Sequence, residues 1–536
     1  MILALYDVTG IQDFIFSTSK TKENIGASLM IQQVFENYLV DALKTMSEKK
    51  VKIDWESSNN LQIKDDSTID AEVIYIGGGN SLVMFKDFET GVKTTQALSV
   101  QLLKATKGKL GLVVGYHETD LEDFAQDLKE LHQKVAKKKN EFVQPSPLQG
   151  IAITYEASDG LSKSSKDLSD VCSDLASVKR DYAEKKDNFE NLLNVPKGFS
   201  FPKEFDDLGQ IEGDSFIAVV HIDGNSMGDF IDKRITGTGD YLEAVITMRK
   251  LSVAIRDTYI EVFRKITSIL IDRQTNIEKS PKIKYKIINK NKCKDKTYLP
   301  IRPLILSGDD VTFVCNGMIA LQLTELFLTN LSEKKISGEV ISACAGVSII
   351  KSHYPFWRGY SLAETLCSAA KQKAKAIKPN EPGSWFDYHI TYAGFNEDLE
   401  VVRQKNYNID SMMEPAAEKY PQYNLLIRPF RVTGNDVDIN NWSIYTKAIK
   451  ELVSGDKMMP RSRLKKLRNN FQISAEAAQE YYEINKSRGY YLPKIKQFHG
   501  TVNQLFKNNQ TPYYEILELL DFYIPEVDVS EVEDEN

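Results

Sequence analysis

Hydrophobic positions in the first part of the chain alternate between strand-like and helix-like patterns. The run ILALYDV predicts a buried strand, and apolar residues at Ile31, Val34, Phe35, Tyr38 and Ala42 follow helical spacing. VIYIGGGNSLVMF predicts two strands around a Gly-Gly-Gly-Asn turn, and GKLGLVVGY predicts another strand before a charged amphipathic helix. This order of strand, helix, strand-turn-strand and helix is typical of a ferredoxin-like palm.

The same order of elements occurs a second time further along the chain. FIAVVHID predicts a buried strand, and residues 241–271 form a long amphipathic helical pattern. RPLILSGDDVTFV then predicts a strand-turn-strand unit, followed by a helix at 318–334, a strand (ISACAGVSII) and a helix (LAETLCSAAKQKAKAI). Repetition of one supersecondary unit at this scale indicates a duplicated domain.

These patterns predict an α/β (α+β) protein with two ferredoxin-like palms, a helical connector and a helical C-terminal region. We expect a first, degenerate palm at 1–144, a connector with one helix at 145–215, a second palm at 216–395, a helical region at 396–525 and an acidic, disordered tail at 526–536.

Composition narrows the class of protein. The 536 residues include 68 Lys and Arg against 75 Asp and Glu, a net charge of −7. This charge argues against a protein that coats nucleic acid without sequence preference. With 42% hydrophobic residues the chain can form several cores. It has no apolar run near the roughly 18 residues of a membrane helix and no secretory start, so we expect a cytoplasmic protein without a membrane partner. The 5 cysteines form no CxxC pair, which disfavours a disulfide framework or zinc knuckle.

Three carboxylates form the sharpest candidate site. Asp223 ends the predicted strand FIAVVHID, and Asp309 and Asp310 occupy the predicted turn of LILSGDDVTFV. Strand end and hairpin can place the three carboxylates at one edge of a sheet. Such oxygen ligands suit Mg²⁺ or Mn²⁺ that also binds substrate phosphates. A Gly-Asp pair is also ordinary turn chemistry, so either piece alone is a weak signal.

Candidate phosphate-binding residues surround these acids. The segment after Asp223 opens a helix, where backbone N–H groups and the helix dipole favour anions. Lys371, on the AETLCSAAK helix, can neutralise phosphate charge. The nucleotide-binding set predicted from the sequence is Gly224, Asn225, Ser226, Met227, Gly228, Ser307, Gly308, Lys371 and Lys375.

Residues 216–390 resemble the second palm of the large polymerase/cyclase subunit of type III CRISPR effector complexes. The matching segments are FIAVVHIDGNSMG, LILSGDDVTFV, SACAGVSIIKSHYPF, AETLCSAAKQKAK and WFDYHI. The N-terminal segments VTGIQDFIFSTSKTKENIGASLM and YIGGGNSLVMF resemble the first palm of the same family.

The resemblance implies a nucleotidyl cyclase that joins ATP into cyclic oligoadenylates or related cyclic dinucleotides, which act as second messengers in antiviral defence. Asp309 and Asp310 would be catalytic, and the implied metal set is Asp223, Asp309, Asp310 and Ile222. Lys371 matches the family's phosphate-binding lysine. Catalysis would consist of positioning and electrostatic stabilisation of phosphoryl transfer.

The sequence departs from the family pattern in three places. The usual Gly-Gly-Asp-Asp reads Ser307-Gly308-Asp309-Asp310, which keeps both acids. The HD nuclease block and the four zinc cysteines of many relatives are absent, so DNA cleavage is not expected and the chain is either a stand-alone cyclase or an unusual effector subunit. The first palm has Gly77 to Asn80 where the acids should be. We expect it to be a degenerate partner that shapes the nucleotide pocket or a dimer-like interface, the alternative being an independent site that would need more carboxylates.

Two other functions remain open at this point. A catalytically silent subunit that binds RNA would use basic segments such as PRSRLKKLR, although such a charge run is more often a solvated face. A diguanylate cyclase would use GTP, but the N-terminal GIQDFIF block disfavours it. Partners expected from the resemblance are nucleotides, RNA or CRISPR-type subunits, a downstream effector that senses the product, and a second copy of the chain.

Overall fold

The computed structural model describes most of the chain. The described residues are 1–18, 20–143, 161, 172–209, 215–280, 283, 286–290, 293–378, 383–392, 398–410, 422–433, 438–499 and 504–524. The predicted acidic tail at 526–536 and much of the predicted connector therefore lie outside the described residues.

The first palm is built around a five-stranded sheet with the strand order β2-β3-β4-β1-β5. Leaving out the short strand β2, this is the order of a ferredoxin-like unit, with the first strand in the middle. Its elements are β1 (Ile2–Thr9), α1 (Ile11–Phe16), α2 (Thr21–Gln33), a π-helical turn (Val34–Leu39), α3 (Val40–Met46), β2 (Lys50–Lys52), α4 (Gln62–Asp65), β3 (Ile69–Gly77), β4 (Asn80–Phe85), α5 (Phe88–Thr106), β5 (Gly111–Glu118) and α6 (Phe124–Glu141).

The connector contains two helices where the sequence pattern predicted one. They are α7 (Asp174–Lys185) and α8 (Phe189–Leu192), followed by the short strand β6 (Phe199–Ser200) and a 3₁₀ turn (Phe205–Asp207). Helix α7 crosses α2 so closely that a Cβ on Gly26 would lie 1.7 Å from the carbonyl oxygen of Lys179. The connector is thus packed against the first palm.

The second palm repeats the first with a longer first helix. Its elements are β7 (Phe216–Gly224), α9 (Met227–Thr236), α10 (Tyr241–Asp272), α11 (Gln274–Glu278), β8 (Lys286–Lys290), β9 (Cys293–Tyr298), β10 (Ile301–Ser307), β11 (Asp310–Asn316), α12 (Ala320–Ser332), β12 (Lys335–Ile336), β13 (Glu339–Val340), β14 (Ala343–Lys351), α13 (Phe356–Ile377) and β15 (Trp385–Ile390). Asp240 caps α10 by accepting a hydrogen bond from the backbone N–H of Glu243. The predicted helix at 241–271 therefore matches α10.

The C-terminal region is mostly helical, as predicted, but it also contributes a strand to the second palm. Its elements are α14 (Leu399–Tyr407), β16 (Asn408–Asp410), β17 (Gln422–Asn424), β18 (Phe430–Arg431), α15 (Trp442–Ser454), α16 (Arg461–Phe471), α17 (Ala475–Ser487), α18 (Lys496–His499) and α19 (Tyr513–Leu519). The second sheet has the order β10-β11-β7-β14-β15-β18, so its first four strands have the ferredoxin-like order and β18 forms one edge.

The two palms share a hydrophobic core. Along β7, Ile217 and Val219 pack with the first palm, whereas Ala218, Val220 and Ile222 pack with α10, α12 and the C-terminal region. This alternation follows from the period of two residues in a strand, and it means that both faces of the second sheet are covered. The fold class predicted from the sequence is confirmed. Among the described residues, no helix combines the length and apolar character that crossing a bilayer requires.

Candidate active site at the edge of the second palm

Strand pairing brings Asp223 and Asp310 side by side. In the antiparallel ladder between β7 and β11, Asp310 is the register partner of Asp223, and Asp310 also pairs with Ser307 across the hairpin. Gly308 forms the turn with φ of 62°, a left-handed conformation that glycine adopts without strain. Asp309 follows it and completes the turn.

Lys371 contacts the first of these acids. Its Nζ lies 2.5 Å from Asp223 Oδ2 and also donates to the carbonyl oxygen of Gly224 at 2.9 Å. Helix α13 can deliver this ammonium because it packs tightly on β14, where a Cβ on Gly346 would lie 1.9 Å from the carbonyl oxygen of Ala363. The predicted phosphate-binding lysine and the predicted metal-binding carboxylate are therefore neighbours.

Burial, and then the crowding of negative charge, raises the pKa of both hairpin acids. Burial, followed by the neighbouring carboxylates of Asp223 and Asp309, raises the pKa of Asp310 to about 8. Burial and then Asp223 raise the pKa of Asp309 as well, partly opposed by Lys371. A cation at this edge would relieve both effects because it favours the ionised carboxylates.

The types of residue at this edge suit a divalent cation, although their side chains do not yet surround a single metal position. Within the described part of the chain no group of three Asp, Glu, His or Cys residues is already arranged around a metal position. The donor set is nevertheless carboxylate oxygen, and Oδ1 of Asp310 is buried with no hydrogen-bond partner among the described residues. Gly224 leaves room for Asp309, since a Cβ there would lie 2.7 Å from Asp309 Oδ2. The side chain of Ile222 is fully buried in the core, so this predicted ligand could contribute only its backbone carbonyl.

The loop after Asp223 is held in place by Ser342, which directly precedes β14, and by the loop before β15. The Nδ2 of Asn225 donates to Ser342 Oγ and to the carbonyl oxygen of Gly383, and its backbone N–H donates to the carbonyl oxygen of Ser342. Ser226 has a left-handed backbone with φ of 51° and begins α9, which continues through Met227 and Gly228. The predicted anion-binding segment thus opens a helix, with the N–H of Asn225 already committed to another bond.

Lys375 and Ser307 stand at the margins of the predicted nucleotide set. Lys375 is exposed on α13, one turn beyond Lys371. Ser307 and Gly308 line a cavity of about 870 Å³ between the two palms, which Gly78 and Gly79 of the first palm's hairpin also line. Both hairpin turns therefore face one internal space.

The first palm repeats this arrangement with fewer acids. Asp7 on β1 is the register partner of Asn80 on β4, as Asp223 is of Asp310. Lys139 on α6 lies 2.8 Å from Asp7 Oδ2, in the place that Lys371 takes in the second palm. The first palm therefore keeps the lysine and one carboxylate but has an amide where the second palm has an acid.

Sequence reasoning missed Gln12, Glu364 and Ser368, which line a second cavity together with the acids. A cavity of about 280 Å³ is lined by Gln12, His221, Asp223, Asp310, Glu364, Cys367, Ser368 and Lys371. Glu364 accepts hydrogen bonds from Gln12 Nε2 and, at 3.2 Å, from the hydroxyl of Tyr360. The available signal was the seven-residue spacing between Glu364 and Lys371, which puts both on one face of a helix.

Several weaker signals have structural explanations. His221 is buried, with Nδ1 3.2 Å from Thr312 Oγ1 and 3.4 Å from Asp310 Oδ1, and burial lowers its pKa. In the basic run on α16, Arg461 pairs with Asp521 and Arg463 donates to Asn485. Part of that run is therefore engaged within the protein.

Comparison with known proteins identifies the fold. No protein-family model and no curated protein sequence matches the chain. Among solved structures, Csm1 from T. onnurineus matches with a TM-score of 0.50 and 12% identity, covering 98% of this chain and 70% of that chain. A Csm1–Csm4 cassette in complex with pppApApA matches with a TM-score of 0.50 and 11% identity, covering 97% of this chain and 69% of the other.

The two sheets and the cavity that both hairpin turns line define a protein built from paired palms. More particularly, the chain has the fold of Csm1, the large subunit of type III CRISPR complexes. This agrees with the resemblance read from the sequence. At such low identity the likeness concerns the fold, and the chemistry has to be argued from the residues of this chain.

Proposed function

We propose that this protein is a metal-dependent nucleotidyl cyclase that joins ATP into a cyclic oligoadenylate or cyclic dinucleotide. One observation carries the proposal: Asp223 and Asp310 are register partners at the edge of the sheet. Lys371 donates a hydrogen bond to Asp223, and Asp309 lies in the adjoining turn. Carboxylates with a lysine at one sheet edge are suited to phosphoryl transfer, in which positioning and electrostatics supply most of the catalysis.

Each residue has a definite part in the proposed reaction. Lys371 would exchange part of its contact with Asp223 for the phosphates of the donor nucleotide, and Asp223, Asp309 and Asp310 would hold Mg²⁺ or Mn²⁺. The bound cation would lower the charge on the α-phosphate and favour ionisation of the attacking hydroxyl. The O3′–Pα bond forms, the bond from Pα to the bridging oxygen breaks, pyrophosphate leaves with that electron pair, and the hydroxyl proton passes to solvent.

The internal space supports a second nucleotide on the side of the first palm. The cavity between the hairpins has a volume of about 870 Å³, within the range of ligand pockets. The neighbour of the same fold that was solved with pppApApA makes ATP the nucleotide to test first. Association with further CRISPR-type subunits and a product-sensing effector belong to the same proposal, because Csm1 in that structure is paired with Csm4.

The test is a product assay with matched variants. Purified protein is incubated with ATP and then with all four nucleoside triphosphates, in Mg²⁺ or Mn²⁺, with and without cellular RNA, and products are identified by liquid chromatography and mass spectrometry. We expect a cyclic adenylate from the wild type and none from Asp309→Ala with Asp310→Ala. A suitable control is Asp206→Ala with Asp207→Ala, another Asp-Asp pair, which lines neither cavity.

The outcomes separate the competing functions. Normal product formation by the Asp309/Asp310 variant would contradict the assignment of the site. Product from GTP alone would favour a diguanylate cyclase. No product under any condition, together with salt-dependent RNA binding, would favour the silent RNA-binding subunit.

A further inference from the structure

Two segments that stood out in the sequence meet at one contact between the palms. Gln12 lies in the N-terminal GIQDFIF segment and Glu364 in the AETLCSAAK segment, 352 positions apart in the chain. Gln12 Nε2 donates a hydrogen bond to Glu364 Oε1, and the hydroxyl of Tyr360 donates to the same oxygen at 3.2 Å. Next to this contact Phe16 stacks on Tyr360 with ring centroids 3.8 Å apart. Helix α1 of the first palm is therefore docked on the helix that carries Lys371.

The contact lies in the wall of the second palm's site. Gln12 and Glu364 line the cavity of about 280 Å³ that Asp223, Asp310 and Lys371 also line. Glu364 precedes Lys371 by two helical turns, so both side chains face this cavity. The remaining residues that line it belong to the second palm, which makes Gln12 the first palm's contribution to the lining among the described residues.

The chemistry of the pair fixes which end of the Gln12 amide is available. An ionised carboxylate can only accept hydrogen bonds, so the amide nitrogen of Gln12 must face Glu364. Its carbonyl oxygen then points away from Glu364, and no hydrogen bond to it occurs within the described residues. The Gln12 side chain is exposed, so a ligand in the cavity can reach it. The structure thus presents an acceptor in the cavity that Asp310 also lines, and the natural partner of an acceptor is a donor such as a hydroxyl.

We propose that the carboxamide oxygen of Gln12 accepts a hydrogen bond from the attacking hydroxyl of the acceptor nucleotide, and that Glu364 holds the amide in the required orientation. The proposal rests on the proposed cyclase function and extends it, since it makes the first palm supply a substrate-contacting residue to the second palm's site. Gln12 acts on the substrate, whereas Glu364 is a positioning residue. Orienting the nucleophile lowers the entropic part of the barrier.

The kinetic test uses variants that separate orientation from packing. Gln12→Ala should lower kcat/KM for ATP about five- to tenfold, the value of one hydrogen bond, with little change in melting temperature. Gln12→Glu places two carboxylates together and should be worse. Combining Gln12→Glu with Glu364→Gln restores an amide–carboxylate pair with the partners exchanged and still presents an acceptor oxygen, so activity should recover. Asp13→Ala, on the same helix but outside the cavity, is the matched control.

Two kinetic outcomes would overturn the proposal. If Gln12→Ala lowered the melting temperature and kcat/KM in parallel, the contact would serve palm docking only. If the exchanged pair stayed as inactive as Gln12→Glu alone, the acceptor at position 12 would not be what the reaction needs.

A binding measurement keeps the inference separate from the proposed activity. With Ca²⁺ in place of Mg²⁺, the affinities for ATP and for 3′-deoxy-ATP are compared by calorimetry. The wild type should prefer ATP about five- to tenfold, and Gln12→Ala should lose that preference. If the wild type prefers ATP, Gln12→Ala loses that preference and no product forms, the cyclase assignment fails and the Gln12 contact stands. Equal preference in the wild type and Gln12→Ala would reject the Gln12 contact, whatever the product assay shows.

Discussion

A single buried arginine should hold the two palms in register. Arg249 on α10 of the second palm is 2% exposed and reaches the first palm, where its Nη2 lies 3.0 Å from Glu72 Oε1. Its other hydrogen bonds go to the carbonyl oxygens of Ser58, Asn60, Val73 and Ile74. Glu72 is equally buried and also accepts the backbone N–H of Ile63 at 2.8 Å. One side chain therefore satisfies five acceptors of the neighbouring palm.

Replacing Arg249 by methionine keeps much of the apolar volume and removes every one of these bonds. Glu72 would be left as an uncompensated buried charge, a situation that costs about 3–5 kcal/mol. For a cooperative unit of about 150–250 residues, 1 kcal/mol corresponds to about 2–4 °C, so the first thermal transition should fall by about 6–20 °C. The melting curve is recorded by differential scanning calorimetry at fixed pH and protein concentration.

A second variant tests the reason for the loss. Arg249→Met combined with Glu72→Gln removes the buried charge but keeps an acceptor for Ile63, so it should recover part of the stability. Arg256→Met is a suitable comparison, because Arg256 also reaches the first palm, through Glu56, but through an exposed pair worth about 0–1 kcal/mol. The reasoning is refuted if Arg249→Met costs less than about 1 kcal/mol, or if the double variant is no more stable than the single one.

Two further predictions concern the acids of the second palm. Gly224→Ala should lower product formation about 100-fold, because its Cβ would meet Asp309 and Met227, each at 2.7 Å, and displace the carboxylate. Gly228→Ala, which has open space around it, should keep activity. Equal activities of the two variants would contradict the role of Gly224 in leaving room for Asp309. Asp310 should make the metal-free protein less stable as pH rises from about 5 to 8, since its folded pKa of about 8 lies above the unfolded value and the folded state binds the extra proton. Melting temperatures in EDTA across that range check this, and Asp310→Asn should have a shallower slope; the same slope in both proteins would count against it.

Local patterns predicted the parts of this fold that depend on neighbouring residues. The strand FIAVVHID, the hairpin around Gly308 and the long helix α10 follow from hydrophobic period and turn chemistry, and all three are present. The connector was predicted with one helix and has two, because residues 186–188 separate α7 from α8 although the pattern runs on. Strand β18 was missed, since its two residues, Phe430 and Arg431, carry no periodic signal.

The candidate site divides in the same way. Asp223 and Asp310 could be proposed as neighbours because a strand end and a hairpin turn can meet at one sheet edge, and their pairing in the ladder gives that proximity. Ile222 was predicted as a metal ligand only because it is next to Asp223 in the sequence. Its side chain is buried in the core. The roles of the site residues and the domain bounds of 1–144 and 216–395 remain predictions.

The sequence by itself determined the repeated palm pattern, the positions of the three carboxylates and the resemblance that named ATP as the nucleotide to test. Only the tertiary structure placed Gln12 against Glu364 and Arg249 against Glu72, because those contacts join elements 352 and 177 positions apart. Helices, strands and tight turns can be predicted from the spacing of apolar residues and from turn residues. The packing of one palm on the other depends on the shapes of two folded domains, so it cannot be predicted from a local sequence pattern.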